Sequence, residues 1–464
     1  MSLVMPTRIL VVGGGGREHA LAWKLAAEPG VNEVVVAPGS AAIGDEPRVR
    51  CLPGIDPLDG PSVVAAAIAE AVELVVIGSE APLAAGVADE LRAAGVATFG
   101  PSAAAARIES SKAFCREVAD AAGVPMARGA AFSDESAALE FVARLVADGR
   151  GVVVKADGLA AGKGVTVCAE RGEAAAAIRR LFGGSGDGEA GTRVVVEERL
   201  DGREASVIVL TDGRDVVALP AARDHKRLLD GDRGPNTGGM GGYSPLPDLP
   251  DAAVERILDT IHRPILAELA RRGSPFVGAL YAGLMLTPDG PVLLECNARF
   301  GDPETQIVLP RLAVAIGPLL LAAARGNLAA AARRLALAGD VLPTISHAAV
   351  AIVLATPGYP DRPRDGQPID GIEAAEALGA LVFHAGTARA DGDGFVTRTG
   401  RVLTVVGRGR DLAAARSIAE AAADVVVFDG AARRHDIAMA PPAAGERWGT
   451  GATRATAART EAIA

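Results

Sequence analysis

The chain has 464 residues, of which 49% are hydrophobic and 22% are charged, and this composition excludes a wholly disordered or fibrous protein. A net charge of −10 and only 3% aromatic residues argue against binding to nucleic acids. The four cysteines are scattered and form no CxxC pair, which is typical of a reduced, cytoplasmic protein without a zinc site. The longest apolar run, 312–324, is too short to cross a bilayer, so it predicts a buried helix and no membrane partner.

The first hundred residues alternate short apolar runs with amphipathic segments. Strands are predicted at 8–13, 33–37 and 73–78, and helices after the first glycine turn and at 62–72. Because such alternation favours a parallel sheet, residues 1–104 are predicted to form an N-terminal parallel α/β domain.

The middle of the chain has a different rhythm and predicts a central domain over 105–330. It opens with a helix predicted at 103–122. A small α+β unit over about 125–196 is predicted to contain strands at 152–156, 164–168 and 193–198 and a helix at 173–182. The remaining elements are strands at 204–210, 215–219, 279–286 and 291–296 and helices at 251–272 and 306–325.

A third region, 331–438, is predicted to form a C-terminal α/β domain. Its predicted strands are 347–354, 380–384 and 401–406, and its predicted helices are 373–378 and 411–422. Residues 439–464 lack clear periodicity, which predicts a mobile tail.

A glycine-rich turn joins the first strand to the first helix. It meets the dinucleotide fingerprint GxGxxG at two glycines, but Glu18 stands where the third is required, so dinucleotide binding is disfavoured. The turn is either structural or binds an anion through its backbone N–H groups and the positive helix end, with Arg17 and His19 adding charge. Its residues are Gly13, Gly14, Gly15 and Gly16.

Only five of the 47 basic residues are lysines, and two of them lie in the glycine-rich segment VVVKADGLAAGKG. This segment lacks residues that a P-loop requires, and it joins two strands instead of opening a helix. An unpaired Lys155 in a half-buried strand would be costly, so Lys155 is predicted to pair with a phosphate. The glycine-rich segment is predicted to close over the phosphates as a flap. The alternative is an exposed flexible hairpin. Its tip contains Gly158, Gly162, Lys163 and Gly164.

Polar side chains share one face at the end of the strand predicted at 291–296. Glu295 and Asn297 are two residues apart, and Arg299 follows with the same spacing. The carboxylate and the amide supply oxygen ligands, and Mg²⁺ prefers a few protein oxygens together with phosphates and water. The sequence therefore predicts a metal site, with a simple ion pair at a strand end as the alternative.

The segment 223–245 is too long and too rich in glycine for a minimal connection. Such loops in compact domains are often functional, although a solvated loop is the alternative. It contains Asp224, Lys226 and Arg227.

Six strings in this order closely resemble the glycinamide ribonucleotide synthetase family of ATP-grasp enzymes. They are GGGREHALAWKL, GLAAGKGV, DHKRLLDGDRGPNTGGMGGYSP, LYAGLM, ECNARFGDPETQ and FHAGT. The resemblance runs from about 8 to 437, and the segments 223–245 and 295–304 are its highly specific parts. Small departures at Ser79, Ser110 and Thr399 affect loop details only.

The resemblance implies a ligase of de novo purine biosynthesis. ATP, glycine and 5-phosphoribosylamine are expected to give glycinamide ribonucleotide, ADP and phosphate through a glycyl phosphate, with Mg²⁺ or Mn²⁺ bridging the phosphates. The unit at 125–196 is expected to be a lid of the ATP-grasp domain that excludes water. We expect a cytoplasmic monomer or weak homo-oligomer. The alternative function is another ATP-grasp carboxylate–amine ligase.

The resemblance also implies roles for individual residues. It places Lys112 and Lys155 at the ATP phosphates, Glu197, Glu198 and Leu200 at the adenine, Glu204 at the ribose, and Glu295 and Asn297 at the metal. We further expect Arg299 to bind the phosphate of phosphoribosylamine, and Glu80 and the glycine turn to contact its sugar or amine. Asp224, Lys226 and Arg227 are expected to face the acyl phosphate or glycine.

Overall fold

The computed structural model describes residues 4–159, 164–183, 193–337 and 339–439. Its N-terminal sheet is parallel, in the order β3-β2-β1-β4-β5, and the apolar residues of its central strands are buried because helices cover both faces. The strands are β1 Arg8–Gly13, β2 Glu33–Pro38, β3 Val49–Cys51, β4 Leu74–Ile77 and β5 Thr98–Phe99. The helices are α1 Gly16–Ala26, α2 Ala41–Gly44, α3 Gly60–Ala69, α4 Glu80–Ala84 and α5 Val87–Ala93.

The helix predicted at 103–122 is two helices, α6 Ala103–Ser110 and α7 Lys112–Ala121, so the prediction of one continuous helix is wrong. Ser111 interrupts it with an extended backbone, and its Oγ accepts a hydrogen bond from Phe114 N at 3.1 Å. A serine side chain that satisfies the free N–H groups of a new helix favours this break.

The small unit is a four-stranded antiparallel sheet, β6-β9-β7-β8, with its own apolar core. Its elements are β6 Gly129–Phe132, α8 Glu135–Ala147, β7 Val152–Ala156, β8 Val165–Cys168, α9 Arg171–Phe182 and β9 Val194–Glu198. The predicted hairpin is confirmed, since β7 pairs with β8 from Val152–Cys168 to Lys155–Val165. Residues 160–163 of its tip, with Gly162 and Lys163, lie outside the described residues.

The central sheet is antiparallel, in the order β11-β10-β16-β17. Its strands are β10 Arg203–Asp212, β11 Val216–Ala218, β16 Val277–Thr287 and β17 Gly290–Asn297. Between β11 and β16, the segment predicted to be a loop forms β12 Arg223–Asp224, β13 Arg227–Leu229, β14 Arg233–Asn236 and β15 Gly241–Ser244. A π-helix at Leu258–His262 separates α10 Asp251–Ile257 from α11 Arg263–Arg271.

The helix predicted at 306–325 is broken, which corrects the sequence interpretation. It consists of α12 Glu304–Val308, a 3-10 turn Leu309–Arg311 and α13 Gly317–Ala324, followed by α14 Leu328–Arg334. Pro310 and Pro318 lack the N–H that a continuous helix requires. The buried helix expected over 312–324 therefore begins at residue 317.

The C-terminal region combines strands and helices as predicted, and its main sheet is antiparallel. Its elements are β18 Ala348–Ala355, β19 Pro368–Ile369, α15 Ile372–Ala377, β20 Leu381–His384, β21 Thr387–Arg389, β22 Phe395–Thr397, β23 Arg401–Gly409 and α16 Leu412–Val425. The sheet order β12-β15-β18-β23-β20 shows that the 223–245 segment pairs directly with this region. The predicted tail beyond residue 439 lies outside the described residues.

Within the described ranges, no helix is both long enough and apolar enough to cross a bilayer. The N-terminal parallel α/β class and the central α+β class are confirmed. The boundaries 1–104, 105–330 and 331–438 stay predictions.

Candidate functional site

One cleft of about 1340 Å³ is lined by residues from the helices of the N-terminal region, from the central and C-terminal sheets and from the small unit. It gathers nearly all of the residues that the sequence placed in the site: Gly15, Gly16, Glu80, Lys112, Lys155, Gly158, Gly164, Glu197, Glu198, Leu200, Glu204, Asp224, Lys226, Arg227, Glu295, Asn297 and Arg299. Among the predicted residues that the structure describes, Gly13 and Gly14 do not line it.

Lys155 lies on β7 and faces the cleft. Its Nζ contacts Glu197 Oε2 at 2.6 Å and donates to the carbonyl of Leu294 at 2.9 Å. Arg116 Nη2 contacts the other oxygen of Glu197 at 2.6 Å. Burial opposes the ionisation of Glu197, but the two cations outweigh it and lower the pKa of this carboxyl. Glu197 therefore stays ionised and fixes Lys155 at the cleft wall.

Lys112 is the first residue of α7, and its Nζ donates to the carbonyl of Gly158 at 3.0 Å. Ser111 Oγ and Ala113 N both donate to Asp157 Oδ1, at 2.9 and 3.1 Å. Burial lowers the pKa of the Lys112 ammonium. The start of α7 thus holds the point at which the hairpin tip leaves its strand, and Gly158 there adopts a φ of +145° that suits glycine.

Lys226 lies between two carboxylates of the cleft. Its Nζ is 2.9 Å from Glu295 Oε1 and 3.5 Å from Glu204 Oε2. Burial alone would lower the pKa of Lys226, but the surrounding anions, with Glu295 first, raise it well above its ordinary value. Lys226 in turn lowers the pKa of Glu295 to about 2. Both groups are therefore charged at neutral pH.

Glu295 and Asn297 supply the oxygens of the predicted metal site. In the amide orientation that satisfies its neighbours, Asn297 Nδ2 donates to the Cys296 carbonyl at 3.2 Å and to Glu109 Oε1 at 3.3 Å. With its nitrogen engaged, the amide oxygen is the atom that can serve a cation. Across the described residues, no group of three or more His, Cys, Asp or Glu side chains could hold a metal alone. One carboxylate and one amide fit Mg²⁺ or Mn²⁺ that also takes phosphate oxygens.

The guanidinium of Arg299 joins the N-terminal domain to the central sheet. Its Nε contacts Glu80 Oε2 at 3.1 Å, its Nη2 contacts Glu109 Oε1 at 3.0 Å, and its Nη1 donates to the Phe300 carbonyl at 3.0 Å. Burial raises the pKa of Glu80, but Arg299 and Arg17 outweigh it and bring that pKa to about 2. Arg299 is thus a charged side chain held rigidly at the cleft.

Asp224 is a buried carboxyl whose Oδ1 has no hydrogen-bond partner among the described residues. Burial, followed by the nearby Glu304, raises its pKa well above the ordinary value, and Lys226 opposes the shift. Buried polar atoms are normally paired, so an unpaired oxygen at a cleft is a position for a ligand.

The glycine turn holds a side chain of its own helix. Glu18 Oε2 accepts a hydrogen bond from Gly15 N at 2.8 Å, and Glu18 Oε1 contacts Arg17 Nε at 2.8 Å. A Cβ on Gly13, whose φ is +131°, would lie 2.5 Å from Glu18 Cγ. The carboxylate of Glu18 therefore occupies part of the position that the sequence predicted for a bound anion. Of the four glycines of the turn, only Gly15 and Gly16 line the cleft.

Two predicted residues line the cleft while their charged groups have partners in their own units. Glu198 Oε1 accepts a hydrogen bond from Arg128 N at 3.0 Å, and its Oε2 contacts Arg150 Nη1 at 2.6 Å. Arg227 Nη1 donates to the Gly234 carbonyl at 2.6 Å.

Distant segments contribute cleft residues that the sequence did not predict. Arg401 Nη1 donates to the carbonyl of Gly238 at 2.7 Å, and Tyr359 Oη accepts from Gly238 N at 3.0 Å. Glu109 and Glu304 were missed as well, although Glu304 lies within the ECNARFGDPETQ string. No local pattern marks Tyr359 or Arg401.

Three domain families match the chain. They are the N domain of phosphoribosylglycinamide synthetase over residues 7–109, its ATP-grasp (A) domain over 110–305 and its C domain over 349–440. These matches confirm the predicted three-domain architecture with an ATP-grasp fold.

Curated relatives and a solved structure agree with these families. The phosphoribosylamine–glycine ligase of Leifsonia xyli subsp. xyli is 47% identical over 437 residues, covering 93% of this chain and 99% of the relative. The ligase of that name from Streptomyces coelicolor is 48% identical over 436 residues, covering 93% and 98%. The crystal structure of the Thermotoga maritima phosphoribosylamine–glycine ligase is 32% identical, with a TM-score of 0.73 and coverage of 93% and 100%.

Proposed function

Because the chain belongs to the phosphoribosylglycinamide synthetase family, we propose how its cleft performs the ATP-dependent ligation of glycine to 5-phosphoribosylamine, a step of purine biosynthesis. A carboxylate is a poor acyl donor, so ATP first converts glycine to glycyl phosphate. The amine of phosphoribosylamine then displaces phosphate and forms glycinamide ribonucleotide. The observation that carries the proposal is the convergence of Lys112, Lys155 and Lys226 with Glu295 in one cleft.

Lys112 and Lys155 bind the phosphates of ATP. Lys155 stays on its strand, since Glu197 holds it, whereas Lys112 contacts the base of the hairpin tip. The hairpin from Gly158 to Gly164, with Gly162 and Lys163, closes over the phosphates and keeps water from the acyl phosphate. The end of β9, with Glu197, Glu198 and Leu200, lines the adenine pocket, and the partly exposed carboxylate of Glu204 takes the ribose hydroxyls.

Glu295 and Asn297 hold Mg²⁺ or Mn²⁺, because they offer the cleft a carboxylate that is ionised at neutral pH and an amide oxygen. A cation held there would supply positive charge against the charge that develops on the transferred phosphoryl group. Lys226, 2.9 Å from Glu295, adds a positive side chain beside the same group.

Asp224, Lys226 and Arg227 face glycine and its acyl phosphate. The unpaired Oδ1 of Asp224 suits the amino group of glycine, since an ammonium supplies the missing hydrogen bond and favours the ionised carboxylate.

Arg299 binds the phosphate of phosphoribosylamine with N–H groups that remain after its three protein contacts, because a guanidinium carries five. Glu80, Gly15 and Gly16 contact the sugar or amine of the same substrate. Gly13 and Gly14 belong to the same turn but do not line the cleft.

We place the enzyme in the cytoplasm as a monomer or weak homo-oligomer with no nucleic-acid partner. The net charge of −10 and the four free cysteines support this setting. We also propose the domain boundaries 1–104, 105–330 and 331–438, with the lid at about 125–196.

ADP release is expected to require both glycine and phosphoribosylamine, with one glycinamide ribonucleotide formed per ADP. Turnover with formate or bicarbonate and none with glycine would contradict the proposal.

Lys155→Met is expected to weaken ATP binding, measured by calorimetry. Lys24→Met is the matched control, since Lys24 donates to the Leu312 carbonyl outside the cleft. Equal ATP affinity in both variants would remove Lys155 from the nucleotide site.

A further inference from the structure

One short segment of the C-terminal domain contacts a hairpin that lines the cleft. We call residues 434–436 the clamp segment and residues 227–236, which include β13 and β14, the cleft hairpin. Three contacts join them from backbone to side chain: Gly231 N donates to Asp436 Oδ2 at 2.8 Å, His435 N donates to Asp230 Oδ1 at 2.8 Å, and Arg434 Nη1 donates to the Arg227 carbonyl at 3.2 Å. The two segments are about 200 residues apart in the chain.

Arg434 is the centre of this contact. It is only 1% exposed, and it is the largest fully buried side chain among the described residues. Its Nε and Nη2 each donate to one oxygen of Asp436 at 2.7 Å, while its Nη1 contacts Asp232 Oδ1 at 2.6 Å. The paired bonds to Asp436 fix the orientation of the guanidinium, so it presents Nη1 to the hairpin in one direction.

Asp232 carries the contact into the cleft. The oxygen that meets Arg434 also lies 3.6 Å from His225 Nδ1, and both His225 and Asp232 line the cleft. The other ring nitrogen of His225, Nε2, has no hydrogen-bond partner within the described residues. Lys226 is the next residue, and its carbonyl accepts a hydrogen bond from Thr237 N across the base of the hairpin at 2.7 Å.

We propose that Arg434 is a positioning residue for the ligation: it holds the cleft hairpin through Asp232 and thereby places His225 and Lys226 in the cleft. Arg434 does not line the cleft and does not contact a substrate. It acts through Asp232 and His225, which line the cleft. This proposal rests on the proposed function, because Asp224 and Lys226, which lie just before the hairpin, and Arg227, its first residue, are the residues assigned to glycine and its acyl phosphate. The residues assigned to ATP phosphates lie on other elements, β7 and α7.

The test compares Arg434→Lys with Arg433→Lys. Arg433 is the adjacent arginine, but it pairs with Glu420 and Asp424 of α16 and does not touch the hairpin. The Arg434→Lys change keeps the positive charge but removes the paired N–H groups that bond both oxygens of Asp436. We expect kcat to fall about 10-fold, the KM for ATP to stay unchanged, and the ratio of ADP to glycinamide ribonucleotide to rise above one. Arg433→Lys is expected to keep the ratio near one.

Asp232→Asn tests the same contact from the other side. Its side chain is 66% exposed, so this variant is expected to fold even where Arg434→Lys does not. It is expected to uncouple ADP release in the same way, and the double variant is expected to be no worse than the poorer single one, because both break one contact. Additive losses with a ratio that stays near one would overturn the proposal and leave Arg434 a stabilising residue only.

Hydrogen exchange gives a readout that does not depend on activity. Amides of 227–236 are expected to exchange faster in Arg434→Lys than in the wild type or Arg433→Lys. Unchanged exchange would overturn the clamp even where the wild type ligates glycine. A wild type that makes no glycinamide ribonucleotide would instead overturn the proposed function and leave the exchange result standing.

Discussion

Two glycine-rich segments border the cleft, and they are held in opposite ways. The turn 13–16 is satisfied by Glu18, a residue of the helix that the turn opens. The loop 223–245 is satisfied by Tyr359, Arg401 and Arg434, which are 121, 163 and 202 residues away from their partners. Glycine content alone therefore does not identify a functional loop, because the same residue type occurs in a closed structural turn and in an open, charge-bearing segment.

The partners also decide what each segment offers to a ligand. In the turn, the carboxylate of Glu18 takes the Gly15 N–H that an external anion would use. In the loop, the distant partners bind mainly the backbone of residues 227 and 238–239, which leaves the side chains of Asp224 and Lys226 directed to the cleft. The loop 223–245 therefore directs reactive side chains to the cleft, and we call it the chemical segment. The turn 13–16 forms a rigid edge of the cleft, and we call it the structural segment.

The largest expected effect tests the chemical segment. Glu295→Gln removes the anion that holds Lys226 at 2.9 Å and weakens an oxygen ligand for a hard cation. We expect turnover to fall by about 10²-fold or more, since the lost charge acts where charge develops in the transition state. The measurement is steady-state turnover across a Mg²⁺ titration.

Glu70→Gln is the matched control for this change. Glu70 pairs with Arg50 on the N-terminal domain, away from the cleft. Wild-type turnover and an unshifted Mg²⁺ titration in Glu295→Gln would reduce Glu295 to a structural ion-pair partner and would break the contrast between the two segments.

The next effect tests the structural segment. Gly13→Ala combines an unfavourable positive φ with a Cβ 2.5 Å from Glu18 Cγ. We expect a loss of about 2–4 kcal/mol of stability, measured as a lower first unfolding transition in calorimetry. Gly54→Ala is the control, because nothing lies within 4 Å of its added Cβ.

A double variant sharpens this result. Glu18→Ala removes both the clash and the bond to Gly15 N, so Gly13→Ala is expected to cost less in that background than in the wild type. Equal costs in the two backgrounds would show that backbone strain alone demands glycine at this position.

Sequence reasoning reached most of the cleft, because the charged groups stand in ordered strings such as ECNARFGDPETQ. It placed Lys155 on a strand from its apolar neighbours, and the structure adds the reason that this lysine is tolerated there, the ion pair with Glu197. It missed the break at Ser111, since a helix cap within a helical pattern is a single-residue signal. It missed Arg401 and Arg434 because their partners are set by the pairing of β15 with β18, which no local pattern reveals.

A smaller effect concerns Glu80, which contacts both Arg17 beside the turn and Arg299 of the central domain. Arg17, which follows the turn, and Arg299 both contact Glu80 Oε2, at 3.7 and 3.1 Å. Arg299→Lys keeps the charge, but one ammonium does not reproduce the fork that meets Glu80 and Glu109. We expect the KM for phosphoribosylamine to rise about 10-fold, with the KM for ATP little changed, because the weakened contacts are charge-assisted hydrogen bonds. A rise confined to the KM for ATP would place Arg299 at the nucleotide instead.

The smallest effect concerns a distant contact of α1, the helix that follows the turn. His384 N donates to His19 Nδ1 at 2.9 Å, and His19 Nε2 lies 3.1 Å from Glu46 Oε1. Burial, followed by the charges of His19 and Arg389, lowers the pKa of the His384 ring to about 3. His384 is therefore neutral in the folded state.

This pKa sets the sign of a pH dependence. The unfolded chain binds a proton at His384 below about pH 6.5, whereas the folded chain does so only near pH 3, so stability from this group is complete above pH 6.5 and falls as the pH drops. The loss is at most about 1.4 kcal/mol per pH unit. His384→Phe removes the titration and keeps the backbone N–H that reaches His19. Its unfolding temperature is expected to fall less between pH 7 and pH 5 than that of the wild type. Parallel curves would show that His384 is accessible to protons in the folded state, and that the contact between α1 and the C-terminal sheet is looser than the turn that precedes it.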